Sequence, residues 1–85
     1  MANQIKSAAV LADRMAVQFP IDVDGRRVLA IVSVECLQDH FGLGTGPSNE
    51  WTDAYRRNSS AIEAVAIRKA RAGAPEPVLV STGDF

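Results

Sequence analysis

The sequence predicts a small α+β fold, in which a three-stranded antiparallel sheet carries two helices on one face in the order β-β-α-α-β. Three observations lead to this fold. Two runs of β-forming residues meet at Asp24-Gly25, two later segments repeat apolar residues at helical spacing, and a short apolar run lies near the end of the chain. The length of 85 residues suits one domain. We expect it to cover residues 15–85, after a weakly structured segment of residues 1–14.

The first element is a β-hairpin, because Asp24-Gly25 suits a two-residue type I′ turn whose central residues both need a positive φ. The turn fixes the register, which pairs Asp22 with Arg27, Ile21 with Val28 and Phe19 with Ala30. One face of the hairpin is then almost wholly apolar. Pro20 has no N–H to offer an outer neighbour, so we expect the first hairpin strand at the edge of the sheet and the last strand beside the second.

A helix of about two turns follows the hairpin. Ser33 suits the N-cap, and Val34, Leu37 and Phe41 recur at helical spacing. Gly42 is placed to end this helix in a left-handed conformation.

A second helix is predicted to begin at Ser48 or Asn49 and to run unbroken to about Ala72, where Gly73 follows. Its apolar stripe consists of Trp51, Tyr55, Ile62 and Val65. The run at residues 78–82 then predicts the last strand, which we expect to be antiparallel.

Composition excludes several classes of protein. The net charge of −1 gives no strong field for nucleic acid or anionic lipid, and the chain has no apolar run long enough to span a membrane. A single cysteine cannot form an internal disulfide, which favours a cytoplasmic location.

Several motifs of the chain occur together in one known family. They are Ala16–Pro20, Val23–Arg26, Ser33–Gly42 with Leu37, His40 and Phe41, and a long helix with Tyr55, Arg57 or Asn58, Ile62 and Lys69. In this combination, over residues 14–83, the chain resembles the bacterial family called domain of unknown function 1488. The resemblance implies a small cytoplasmic α+β protein. Because no activity is known for that family, the resemblance implies no catalytic residue.

Cys36 and His40 stand four residues apart on the first predicted helix. Such a pair suits an activated nucleophile or half of a metal site, but a closed zinc site needs four ligands and Asp39 is a weak third. We therefore interpret Cys36 as a buried apolar residue and His40 as a residue near a helix C-terminus. We expect no metal.

The glycine-rich segment 42–46 precedes a helix, as phosphate-binding loops do. However, it follows a helix rather than a strand, and Pro47 stands where a third glycine is needed. Glu50 and Asp53 place negative charge in the first turn, where a phosphate would lie. We interpret the segment as a connection between helices and expect no cofactor.

Two polar features of the long helix have functional alternatives. Arg57, Arg68 and Arg71 share one side, which leaves weak nucleic-acid binding as an alternative function. Asn58 lies within the apolar stripe, and we expect its amide to bond to loop backbone near residues 42–46.

The face of the sheet opposite the helices carries the candidate interaction surface, formed by Pro20, Leu29, Ile31 and Leu79. We expect an apolar patch of roughly a few hundred Å², near the size that marks binding sites. Either the N-terminal segment, through Ile5, Val10 and Leu11, or another chain must cover it. The sequence therefore predicts a non-enzymatic module that forms a homodimer or docks to a protein partner.

Overall fold

The computed structural model describes residues 8–44 and 49–85, which form one four-stranded sheet with three α-helices. The strands, in their order across the sheet, are β1 (Ala9–Leu11), β2 (Ala16–Val23), β3 (Arg26–Ser33) and β4 (Val78–Val80). The helices are α1 (Val34–His40), α2 (Asn49–Arg57) and α3 (Ser59–Arg71). Two 3-10 turns lie at Ala12–Arg14 and Thr82–Asp84. The predicted α+β class is confirmed. The prediction of three antiparallel strands and two helices was wrong in detail, because the described residues form four strands, one of them parallel to its neighbour, and three α-helices.

The hairpin of β2 and β3 has the predicted turn and register. Asp24 and Gly25 adopt φ values of 51° and 87°, as a type I′ turn requires. Ile21 lies opposite Val28, and Phe19 lies opposite Ala30. The exposed pair Asp22–Arg27 forms an ion pair with an N–O distance of 3.0 Å.

The prediction that β2 is the edge strand was wrong, because β1 pairs with it antiparallel. Ala9 lies opposite Gln18 and Leu11 opposite Ala16. The pairing therefore stops two residues before Pro20, so the missing N–H interrupts no ladder bond to β1. The segment before residue 15 thus contains a strand and a 3-10 turn in its described part, while the expectation for Ile5 lies outside the described residues.

β4 lies beside β3 as expected, but it runs parallel rather than antiparallel. A parallel pair needs a long crossover, and the three helices between β3 and β4 supply it. Val78 is level with Ala30 and Val80 with Val32, so both valines belong to the apolar face. The direction of a three-residue strand depends on the path of this crossover, which the strand's own sequence does not encode.

The predicted long helix is two helices, because Asn58 interrupts it. The side-chain Nδ2 of Asn58 donates to the carbonyl oxygen of Ala54 at 2.9 Å, the acceptor that its backbone N–H would have in a continuous α-helix. The N–H instead bonds to Tyr55 O at 3.0 Å. This side-chain competition explains the break. We expected the Asn58 amide to bond to backbone near residues 42–46, and the part of that segment at residues 45 and 46 lies outside the described residues.

The core lies between the sheet and the helices. Phe19, Leu37 and Ile62 are fully buried, and the Phe19 ring stacks on Tyr55 with a centroid distance of 4.7 Å. Both predicted ends of α1 are confirmed: Ser33 Oγ accepts from the N–H of Cys36 at 3.1 Å, and Gly42 has a φ of 73°. The core therefore rests on the apolar face that the hairpin register defines.

Replacing Gly25 by alanine should lower the free energy of unfolding by about 1–2 kcal/mol, because an L-residue is strained at a φ in the left-handed region. Gly83→Ala is the matched control, since an added methyl group meets open space at both positions and a positive φ occurs at Gly25 but not at Gly83. Urea denaturation gives both values. A loss at Gly25 no larger than at Gly83 would contradict the assigned turn.

Candidate interaction surface

The sheet has one face directed away from the helices, and the four apolar residues expected there from the sequence come from three of its strands. Ala16 of β2 and Leu11 of β1, which is paired with it, also lie on this face. Pro20 of β2 lies opposite Leu29 of β3, and Ile31 of β3 is level with Leu79 of β4. None of these four residues belongs to the buried apolar cluster that forms between the sheet and the helices. The structure thus brings together the four residues expected from the sequence, and we call Pro20, Leu29, Ile31 and Leu79 the open face.

The members of the open face differ in exposure. Leu79 is 58% exposed and Leu29 is 40% exposed, whereas Ile31 is 7% exposed. The expectation of an exposed Ile31 was wrong. Ile31 lies in an inner strand between Gln18 and Leu79, and neighbouring strands about 4.8 Å apart leave it little free surface. The most exposed side chains of the open face are therefore Leu29 and Leu79, while Pro20 is partly exposed.

A groove of about 240 Å³ lies beside Leu79. Its lining includes the small residue Ala16 and the side chain of Ile31, with Ser33 and Arg14 also present. Ala16 lies directly opposite Ser33 in the ladder, two residues along the strands from the level of Ile31. The open face thus carries a projecting leucine and, next to it, a largely apolar depression.

Side chains occupy backbone groups along the β4 edge of the sheet. Glu76 Oε2 accepts from the backbone N–H of Leu29 at 3.0 Å, where a longer β4 would have supplied a carbonyl group. Lys69 Nζ donates to the backbone oxygen of Leu79 and to Asp84 Oδ2, the latter at 2.9 Å. Charged side chains at an edge oppose the addition of a further strand.

The C-terminal turn is fastened to α1 and α3. The ammonium of Lys69 holds the pKa of the Asp84 carboxyl below its usual range, and a hydrogen bond from the N–H of Ser81 adds to the effect. Thr82 contacts α1 twice: its carbonyl oxygen lies 3.1 Å from His40 Nε2, and its hydroxyl donates to Asp39 at 3.0 Å. These contacts fix the chain directly after β4.

Cys36 and His40 are not arranged as a nucleophile and base. Cys36 is buried, and its burial raises the pKa of the thiol to about 11, with Asp84 and Asp39 adding to the rise. An activated thiol needs the opposite shift. His40 contacts Thr82 and lies at a ring-centroid distance of 5.5 Å from Phe85. Within residues 8–44 and 49–85, no group of three or more His, Cys, Asp or Glu residues is placed to hold a metal ion.

The basic residues of the helices do not form a continuous free patch. Arg71 pairs with Asp24 at 3.2 Å, while Arg68 is exposed. Arg57 lies on α2, the separate helix before the break, and lines a cavity together with Glu50 and Asp53.

The glycine-rich segment is described only in part. Gly42 and Gly44 line the same cavity as Glu50 and Asp53. Residues 45–48, on which the rest of the predicted connection depends, lie outside the described residues. The acidic lining agrees with the argument against a phosphate site.

Comparison with known proteins gives one match. The family model described as "Protein of unknown function (DUF1488)" matches residues 6–79, which includes β1 and begins before the residue 14 expected from the motifs. Neither the curated proteins nor the solved structures give a match. None of the helices in the described part of the chain is long and apolar enough to cross a membrane.

The native thiol of Cys36 should react slowly with iodoacetamide at pH 8, and the rate should rise with pH toward about 11, because the thiolate is the reacting form. The chain unfolded in urea is the control, and its profile should follow an ordinary thiol with a pKa of about 8.5. Cys36→Ala should cost about 1 kcal/mol of stability. A native thiol that reacts faster than the unfolded one at pH 7 would contradict the structural interpretation.

Proposed function

Because the chain belongs to the family of unknown function DUF1488, whose description names no activity, we propose a function from the molecule itself: a non-enzymatic interaction module that self-associates through the open face. The observation that carries the proposal is the exposure of Leu29 and Leu79 on the side of the sheet opposite the helices, where a groove lies beside Leu79. An exposed apolar patch in a small protein is typical of a binding surface.

The energy available from this surface is modest. The exposed fractions of Leu79 and Leu29, 58% and 40%, together amount to about one fully exposed leucine. Burying both side chains completely would contribute roughly 1.5–3 kcal/mol per copy, which is the upper bound for a contact that covers only part of this surface. Association also costs translational and rotational freedom. We therefore propose that two copies form a weak, reversible complex.

Two features favour a second copy as the occupant of the open face. The charges at its hairpin end, Asp22 and Arg27, neutralise each other, so that end brings no net charge to a contact between two copies, whereas Arg14 beside the groove brings one positive charge per copy. Glu76 and Lys69 already occupy backbone groups at the β4 edge, which disfavours extension of the sheet by an added strand. At that edge, face-to-face packing is therefore favoured over strand addition, and an identical partner gives the common two-fold dimer.

Three side chains that often act in catalysis have structural contacts here. The thiol of Cys36 has a pKa raised to about 11, Lys69 is paired with Asp84, and His40 contacts Thr82. These engagements support a non-enzymatic role. The unpaired Cys36 also supports our proposal of a cytoplasmic location.

Changing Leu79 to lysine should reduce the association constant at least about tenfold, because two ammonium groups would replace the apolar contact. Ala61→Lys is the matched control, since Ala61 is exposed on α3 and the same charge there should leave association unchanged. Sedimentation equilibrium measures association, and circular dichroism confirms that both variants fold. Leu79 is a better probe than Ile31, whose burial would make an aspartate unfold the chain.

A wild-type chain that stays monomeric at all accessible concentrations would contradict the proposal. Equal weakening by Leu79→Lys and Ala61→Lys would instead show that charge, and not the open face, controls association.

Weak nucleic-acid binding through Arg57, Arg68 and Arg71 is the alternative, and we expect it to be poor. Non-specific binding to random duplex DNA should have a Kd of ~10⁻⁴ M or weaker at physiological salt, since Arg71 is paired with Asp24. A fluorescence-anisotropy titration at two salt concentrations measures it. Micromolar binding that weakens steeply with salt would favour the alternative.

A further inference from the structure

We infer that in the self-associated form, which rests on the function proposed above, the two sheets pack face to face about a two-fold axis running across the strands. The strand β4 of one copy then lies over β4 of the other. Leu79 of each copy enters the groove beside Ile31 of its partner, so that each groove is completed by the other chain.

The groove lies to one side of Leu79 along the strands, which sets the position of the axis. Leu79 is level with Ile31, while the groove extends to Ala16 and Ser33, the next pair along the strands. With β4 over β4, an axis between these two levels places each Leu79 at the Ala16–Ser33 level of the other copy, over the side of the groove that Ser81 lines. In a two-fold contact every interaction occurs twice. One projecting side chain and one adjacent groove on each copy are therefore enough to form two identical contacts.

The charged end of the hairpin favours the same axis. With the axis across the strands, the Asp22–Arg27 pairs fall at opposite ends of the dimer and stay in water. An axis parallel to the strands, between β2 and β3, would instead place the two pairs over each other and remove them from water. Burying paired charges costs free energy unless their geometry is excellent, and these side chains are 74% and 46% exposed. The axis across the strands avoids that cost.

The size of the contact agrees with a weak dimer. Strands about 4.8 Å apart and levels about 6.8 Å apart give the two levels that face each other, those of Ile31 and Ser33, an area of roughly 260 Å² per copy over the four strands. The total of roughly 500 Å² is well below the 1,200–2,000 Å² of stable interfaces, as expected for a weak complex. The dimer should therefore form only at high protein concentration.

The test uses Leu79→Cys and Leu29→Cys, which introduce a thiol at two exposed leucines of the same face, with a short bis-maleimide as cross-linker. We expect Leu79→Cys to give a covalent dimer at concentrations where sedimentation shows association. Leu29→Cys should give none, since its two copies would lie about 20 Å apart along the strands. The parent chain is the control for Cys36, which is buried.

Failure of the inferred geometry and failure of the proposed self-association give different results. If the chain associates but Leu29→Cys is linked and Leu79→Cys is not, the axis lies along the strands, where copies of Leu79 would be about 14 Å apart, and the inferred geometry is overturned. Linkage of both cysteines, or of neither, in an associated sample also overturns it. A parent chain that does not associate overturns the proposed function itself, before any cross-linking of the variants.

Discussion

The two-residue turn at Asp24-Gly25 is the constraint on which the rest of the molecule depends. It sets the register of β2 against β3, and a shift of one residue would turn every side chain of a strand to the other face. Phe19 and Ile21 would then leave the core, and Pro20 would enter it. The buried cluster and the open face are therefore two results of one local geometry, because the residues between those of the core necessarily point away from the helices.

The second constraint is the attachment of β4, which is short and depends on neighbouring side chains. Val78 and Val80 are buried in the core, so Leu79 between them points outward. Lys69 joins α3 to this strand by bonding to Leu79 O and to Asp84 in the turn that follows. Glu76 bonds to β3 just before β4 begins. The position of Leu79 on the open face is thus fixed by helix, strand and turn together.

Local rules predicted the parts of the fold that local chemistry determines. The turn, the hairpin register and both ends of α1 follow from a few residues, namely Asp24, Gly25, Ser33 and Gly42, each with a specific backbone role. The break at Asn58 is also local, but the apolar stripe continues from Tyr55 to Ile62 across it, so periodicity alone indicates one helix. The competing amide is visible only from its bond to Ala54.

Features that depend on distant parts of the chain were not predictable in the same way. β1 is three residues long, and it is a strand because it pairs with Ala16–Gln18. The parallel direction of β4 follows from the crossover. Membership of the open face followed from alternation, and so was predicted. The burial of Ile31 was not, because it depends on what lies to both sides of an inner strand.

The contrast between protected edge and exposed face bears on how far association proceeds. A sheet that grows by strand addition leaves a new edge at each step, so the process has no natural end. The bonds from Glu76 to Leu29 and from Lys69 to Leu79 occupy such groups at the β4 edge. A two-fold contact through the open face uses the same surface on both copies and leaves none for a third. The combination of exposed leucines on the face with charged side chains at that edge therefore favours the proposed closed dimer over open-ended growth from the β4 edge.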